Sequence, residues 1–175
     1  MYFAALLART EDGWEASDTE LDDVETLADL VDLAREKAVE DDTVVALIEQ
    51  EDTWFAVVRV DGEDDPRVYV SNASVAARSS YGAMLVDELT GREEDGSDDL
   101  DALDLDGTEE GEPEPEEDDE DGEAAGDVVP HGPLGDAELL ADLGVGAKEL
   151  LAMEGDALND IAALLGCSEI LEAVR

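Results

Sequence analysis

The chain has 175 residues, of which 52 are Asp or Glu and 9 are Lys or Arg, for a formal net charge of -43. Such a polyanion repels RNA, DNA and anionic membranes, because affinity for phosphates comes largely from Lys and Arg displacing counterions; what it favours is a basic partner. With 43% hydrophobic residues it still has the material for one ordinary domain plus an appendage.

The acidity is spread along the whole chain. Residues 1–92 hold 23 acids and 7 bases, residues 93–127 hold 20 acids and no base, and residues 128–175 hold 9 acids and 2 bases. Outside the central stretch, a compositional habit or adaptation to salt accounts for this as readily as a binding role.

The opening "YFAALLAR" is a short apolar run suited to a buried strand, and Asp12-Gly13 is a strong hairpin signal because Gly tolerates positive φ. Trp14 would open the returning strand. Val24, Leu27, Ala28, Leu30, Val31, Ala34 and Ala38 then recur at steps of three and four, predicting a helix of about fifteen residues. Asp22 or Asp23 would cap its start, and Arg35 and Lys37 suit the negative end of its dipole.

The period then changes to that of strands. "TVVALIE", "TWFAVVRV" and "PRVYVSN" are β-branched and aromatic runs separated by "QED" and "DGEDD", which predicts a three-stranded meander. A helical stretch starting at Asn72 or Ser74 follows, through Met84, Leu85, Val86 and Leu89, with Gly91 as its stop. The expected fold of residues 1–92 is α+β: a small antiparallel sheet in the order ββαβββα with helices on one face.

Periodicity vanishes from Glu93 to Gly135, where dense like charge without apolar content predicts an acidic disordered linker. About forty flexible residues span roughly 35 Å, and self-repulsion lengthens them. Within it, "DDLDALDLDG" offers Leu100, Leu103 and Leu105 as an acidic-hydrophobic docking motif. Calcium does not fit: an EF-hand frame with Gly107 at position 6 leaves Ala102 and Pro113 at its ends, and one with Gly122 there ends on Val128.

Residues 136–175 read as a small helical segment, "DAELLADLG", "GAKELLAME", "DALNDIAALLG" and "SEILEAVR". A unit this small rarely sustains its own core, so its leucines either dock on the first domain or face a partner. Leu139, Leu143, Leu150, Leu151, Ile161 and Leu165 are the candidate partner-binding residues.

Catalytic residue types are scarce. His131 sits in "PHGP", a solvated turn, and Cys167 has no nearby base to activate it, so a buried thiol is the default. One His and one Cys cannot build a His/Cys zinc site, and neither a phosphate-binding Gly-rich loop nor a Gly-x-Ser-x-Gly elbow occurs. A lone cysteine excludes an intramolecular disulfide and, with no targeting signal and no run of about 20 apolar residues, suits the cytoplasm. The expectation is a protein that is not an enzyme, with no cofactor.

The opening "YFAALLARTEDGWEAS", the helix "DVETLADLVDLAR", the strand end "RVYVSNASVAA" and the closing "GDAELLADLGVGAKELLAM...IAALLG" together resemble the actinobacterial tRNA adenosine deaminase-associated proteins. Asn72 stands where that pattern leads one to expect Asp. The resemblance implies association with the deaminase that makes inosine at the tRNA wobble position, and it implies no catalytic residues. The deaminase's own zinc signature, His-x-Glu followed by Pro-Cys-x-x-Cys, is absent. The leading expectation is therefore a noncatalytic accessory protein acting through protein-protein interaction, with tRNA adenosine deaminase or another basic protein as partner. The alternative is an acidic nucleic-acid mimic that modulates basic proteins generally.

Overall fold

In the computed structural model, which describes residues 2–38, 42–51, 53–101 and 131–174, the chain is α+β. Strands β1 (Tyr2–Thr10), β2 (Gly13–Asp18), β3 (Thr43–Gln50), β4 (Trp54–Asp61), β5 (Arg67–Val70) and β6 (Leu134–Gly135) form one antiparallel sheet in the order β2-β1-β3-β4-β5-β6. The helices are α1 (Leu27–Lys37), α2 (Ala73–Ala76), α3 (Ser80–Asp101), α4 (Ala147–Ala152), α5 (Ala157–Leu165) and α6 (Ser168–Val174), with a 3₁₀ turn at Ala141–Leu143.

The hairpin and the meander form where the sequence places them, but the first turn is offset by one residue. Thr10 pairs with Gly13, so Glu11 and Asp12 make the loop and Gly13, at φ +136°, opens β2. The cap of α1 also differs from expectation. Thr26, not Asp22 or Asp23, takes that position: its hydroxyl accepts from the Asp29 amide at 3.2 Å, and the Asp29 carboxylate accepts from the Thr26 amide at 3.0 Å. This reciprocal pairing satisfies two of the orphan amides of the first turn, and Leu21 and Val24 pack into the core ahead of the helix rather than within it.

The stretch after β5 is two helices rather than one. Asn72 caps α2 through its side-chain oxygen, which accepts from the Val75 amide at 3.3 Å; α3 begins after a break at residues 77–79, where the Ser79 hydroxyl accepts from the Gly82 amide at 3.1 Å. Gly82 is required there, since a Cβ would lie 2.2 Å from the Ala76 carbonyl oxygen. Gly91 does not stop α3, which runs on to Asp101. A glycine ends a helix by turning left-handed, and Gly91 is not among the positive-φ glycines.

The expected linker, 93–135, is thus helical in its first residues and ends in strand β6, whose Leu134 pairs with Val70. Its remainder, 102–130, lies outside the described residues, as do Leu103 and Leu105 of the docking motif and both calcium frames.

The sheet is covered on both faces. On one, Leu6, Val44, Ala46, Ile48, Ala56 and Val58 pack with Leu27, Leu30, Val31 and Ala34 of α1 and Leu85 and Val86 of α3. On the other, Ala5, Leu7, Val45, Leu47, Phe55, Val57 and Tyr69 pack with Leu139, Leu140, Leu150, Leu158, Ile161 and Leu171 from the C-terminal segment. Those six C-terminal side chains are fully buried, each worth about 1.5–3 kcal/mol of transfer free energy. The C-terminal helices are therefore a layer of the fold.

Candidate functional site

The C-terminal layer is fixed to the sheet by one polar contact set within the apolar one. Arg59 on β4 is 8% exposed, and its guanidinium donates to the Leu139 carbonyl at 2.7 Å and through Nη2 to Asp142 Oδ2 at 2.9 Å. A second, shorter bond joins Nη1 to Asp142 Oδ1, and Nε is paired with Asp61 at 2.9 Å. A buried guanidinium is tolerated because its donors are met by two carboxylates and a carbonyl. Hydrogen bonding to Arg59 holds the Asp142 carboxyl below its ordinary pKa, and the same bond, working against desolvation, raises that of Arg59. Arg67, paired with Arg59 across β4 and β5, reaches Asp136 at 3.8 Å, a second tie to the same segment.

This layer decides what the six candidate partner-binding residues present. Leu139, Leu150 and Ile161 are fully buried against the sheet, and Leu143 and Leu165 are partly buried against the same cluster. Leu151 alone of the six projects outward, at 50% exposure. Leu164, not singled out from the sequence, is exposed on α5 at 43%. Helical periodicity identifies the apolar stripe but not which edge of it overhangs the packed face.

Beside Leu151 lies a cleft of about 300 Å³ at the seam between the two parts of the chain. Trp54, Phe55 and Tyr69 from the sheet line it, with Asn72 at the start of α2 and Met153, Glu154 and Gly155 from the α4–α5 link. The Phe55 and Tyr69 rings are 5.9 Å apart on the face that the C-terminal layer covers, whereas the Trp54 indole, which donates to Gln50 Oε1 at 2.6 Å, packs into the core on the opposite face. Burial pushes the Tyr69 phenol up in pKa.

Other chemistry-bearing groups are dispersed. His131 is exposed in the turn before β6, and Cys167 is buried, its thiol pushed up to about 11 by desolvation. Among the described residues no three His, Cys, Asp or Glu side chains come together as a metal site would need, and no helix is long and apolar enough to cross a membrane.

The geometry thus offers a sheet covered on both faces, with a cleft at the end of the sheet and an exposed leucine at its rim. A family profile described as Rv3753c-like tRNA adenosine deaminase-associated protein matches residues 2–168. No curated protein and no solved structure matches the chain.

Proposed function

The chain belongs to the family of Rv3753c-like tRNA adenosine deaminase-associated proteins, and on that premise we propose that it is a noncatalytic accessory protein that binds tRNA adenosine deaminase in the cytoplasm. The observation that carries this reading is the family match across residues 2–168. Charge supports it. A protein of net charge -43 is attracted to the basic surface on which a tRNA-modifying enzyme holds its substrate, and the 20 acids of residues 93–127 are the densest source of that field. The deaminase zinc signature is missing from the sequence, so the chain's contribution is to the enzyme rather than a copy of its chemistry.

Field alone gives a fast, salt-sensitive encounter, whereas a dedicated subunit needs an apolar contact as well. Leu151, half exposed beside the cleft, supplies one on the C-terminal layer. The test is calorimetric titration into the deaminase from the same source at low and high salt. Saturable one-to-one binding at both supports the accessory role.

A second reading has its own observation in its favour. The run from 93 to 127 contains no base, as a phosphate mimic would require. A general acidic modulator binds many basic proteins and loses them steeply as salt rises, so binding confined to low salt would favour it.

A further inference from the structure

We propose that the cleft between the end of the sheet and the α4–α5 link is a docking site for a partner segment carrying an apolar side chain next to a lysine or arginine. The inference deepens the accessory reading and rests on it for the partner's identity, but not for the existence of the site.

Three observations converge on that occupant. Leu151 is a large hydrophobic side chain left 50% exposed at the rim, although Leu150 beside it and Leu158 beyond the link are fully buried. A leucine in that position gains free energy only when another apolar group covers it. Beneath it, Phe55 and Tyr69 are 4% and 2% exposed and pack with each other and with the C-terminal layer, so an incoming side chain meets a rigid floor with little ordering cost.

The third observation is charge. Among the described residues lining the cleft, Glu154 is the one charged group, and it belongs to a chain of net charge -43. An acidic or neutral segment would be repelled or left indifferent, and a second copy of this chain would bring the same charge to the same place. A cation placed beside the Glu154 carboxylate, with its neighbouring side chain against Leu151 and Met153, satisfies both features at once. Its volume of about 300 Å³ suits one or two side chains, so the site gives register and salt resistance to an encounter that the wider acidic surface steers.

The site is tested on the full chain with two probes. In the first, a synthetic peptide alternating lysine and leucine is titrated into isotope-labelled protein at about 0.3 M salt, where diffuse attraction is screened. The proposal expects amide shifts concentrated at Thr53, Ser71, Leu151 and Gly155, with affinity about tenfold weaker or more for Leu151→Ser and unchanged for Leu164→Ser. A peptide alternating lysine and serine should shift little. Shifts spread over the acidic surface, or equal affinity for Leu151→Ser, would overturn it. In the second, the same variants are titrated into the deaminase. Wild-type binding that Leu151→Ser does not weaken removes the cleft and leaves the accessory role standing. Localised peptide binding without any deaminase binding keeps the cleft and removes that partner.

Discussion

Arg59 and Asp142, 83 residues apart in the chain, are joined by two parallel hydrogen bonds between one guanidinium and one carboxylate. The pair is asymmetric: the Arg59 side chain is 9% exposed, that of Asp142 59%. Its two ends should therefore respond differently to mutation.

Arg59→Met removes the buried partner and strands the Leu139 carbonyl under the C-terminal layer, while Asp61, one-third exposed, keeps its bond from Thr43, at a cost of about 2–3 kcal/mol. Asp142→Asn leaves Arg59 with Asp61 and Leu139, and water already screens the site, so the cost is about 1 kcal/mol or less. Urea denaturation of both variants checks the order.

The pH dependence has a definite sign. Hydrogen bonding to Arg59 lowers the Asp142 pKa in the folded state, so its contribution is complete above the ordinary value of 3.8 and is lost as the pH falls below that value. Acidification also relieves the repulsion of a chain at net charge -43, which works the other way. The difference in stability between wild type and Asp142→Asn isolates the pair. That difference should hold from neutral pH down to about pH 5 and shrink as the pH falls through 3.8 and below.

Three glycines in different settings should give opposite results on replacement by alanine. At Gly82 and Gly135 a Cβ would lie 2.2 Å and 2.1 Å from a carbonyl oxygen, and Gly135 also has φ +97°. Each Ala variant should lose about 2–4 kcal/mol. At Gly91, inside α3 with nothing within 4 Å, alanine should add about 0.5–1 kcal/mol. Thermal unfolding reads all three.

Cys167 is buried with its thiol pushed up to about 11. A thiol reagent at neutral pH should label it only as fast as the C-terminal layer opens, and a denaturant should accelerate labelling by orders of magnitude. Prompt labelling of the native protein would show that the layer over the sheet is not closed.

Much of this architecture was legible in the residues. The hairpin, the meander and the core face of α1 follow from period and turn chemistry. So, in principle, did the covered second face. "VVALI" and "WFAVV" are apolar at every position rather than at alternate ones, which is the mark of strands buried on both sides. The C-terminal leucines were the only material left to cover them.

Other features carried no such signal. Strand β6 is two residues long, too short for any period, and depends on Gly135 fitting against Val68. Thr26 was hidden by two aspartates upstream that are equally good caps by type; what distinguished it was Asp29 three residues on, completing the reciprocal pair. Arg59 in "FAVVRVD" drew no reading of its own, yet a cation in a run with both faces buried needs a buried acceptor, and that was the available clue. The cleft was not legible because its walls come from β4, β5 and the α4–α5 link, which only the fold brings together.

The proposed binding of this chain to tRNA adenosine deaminase can be tested by calorimetric titration of the two purified proteins at low and at high salt. The expected result is saturable one-to-one binding that weakens but persists at high salt, because an apolar contact remains when the field is screened. No heat at either salt, with both proteins folded, would contradict it.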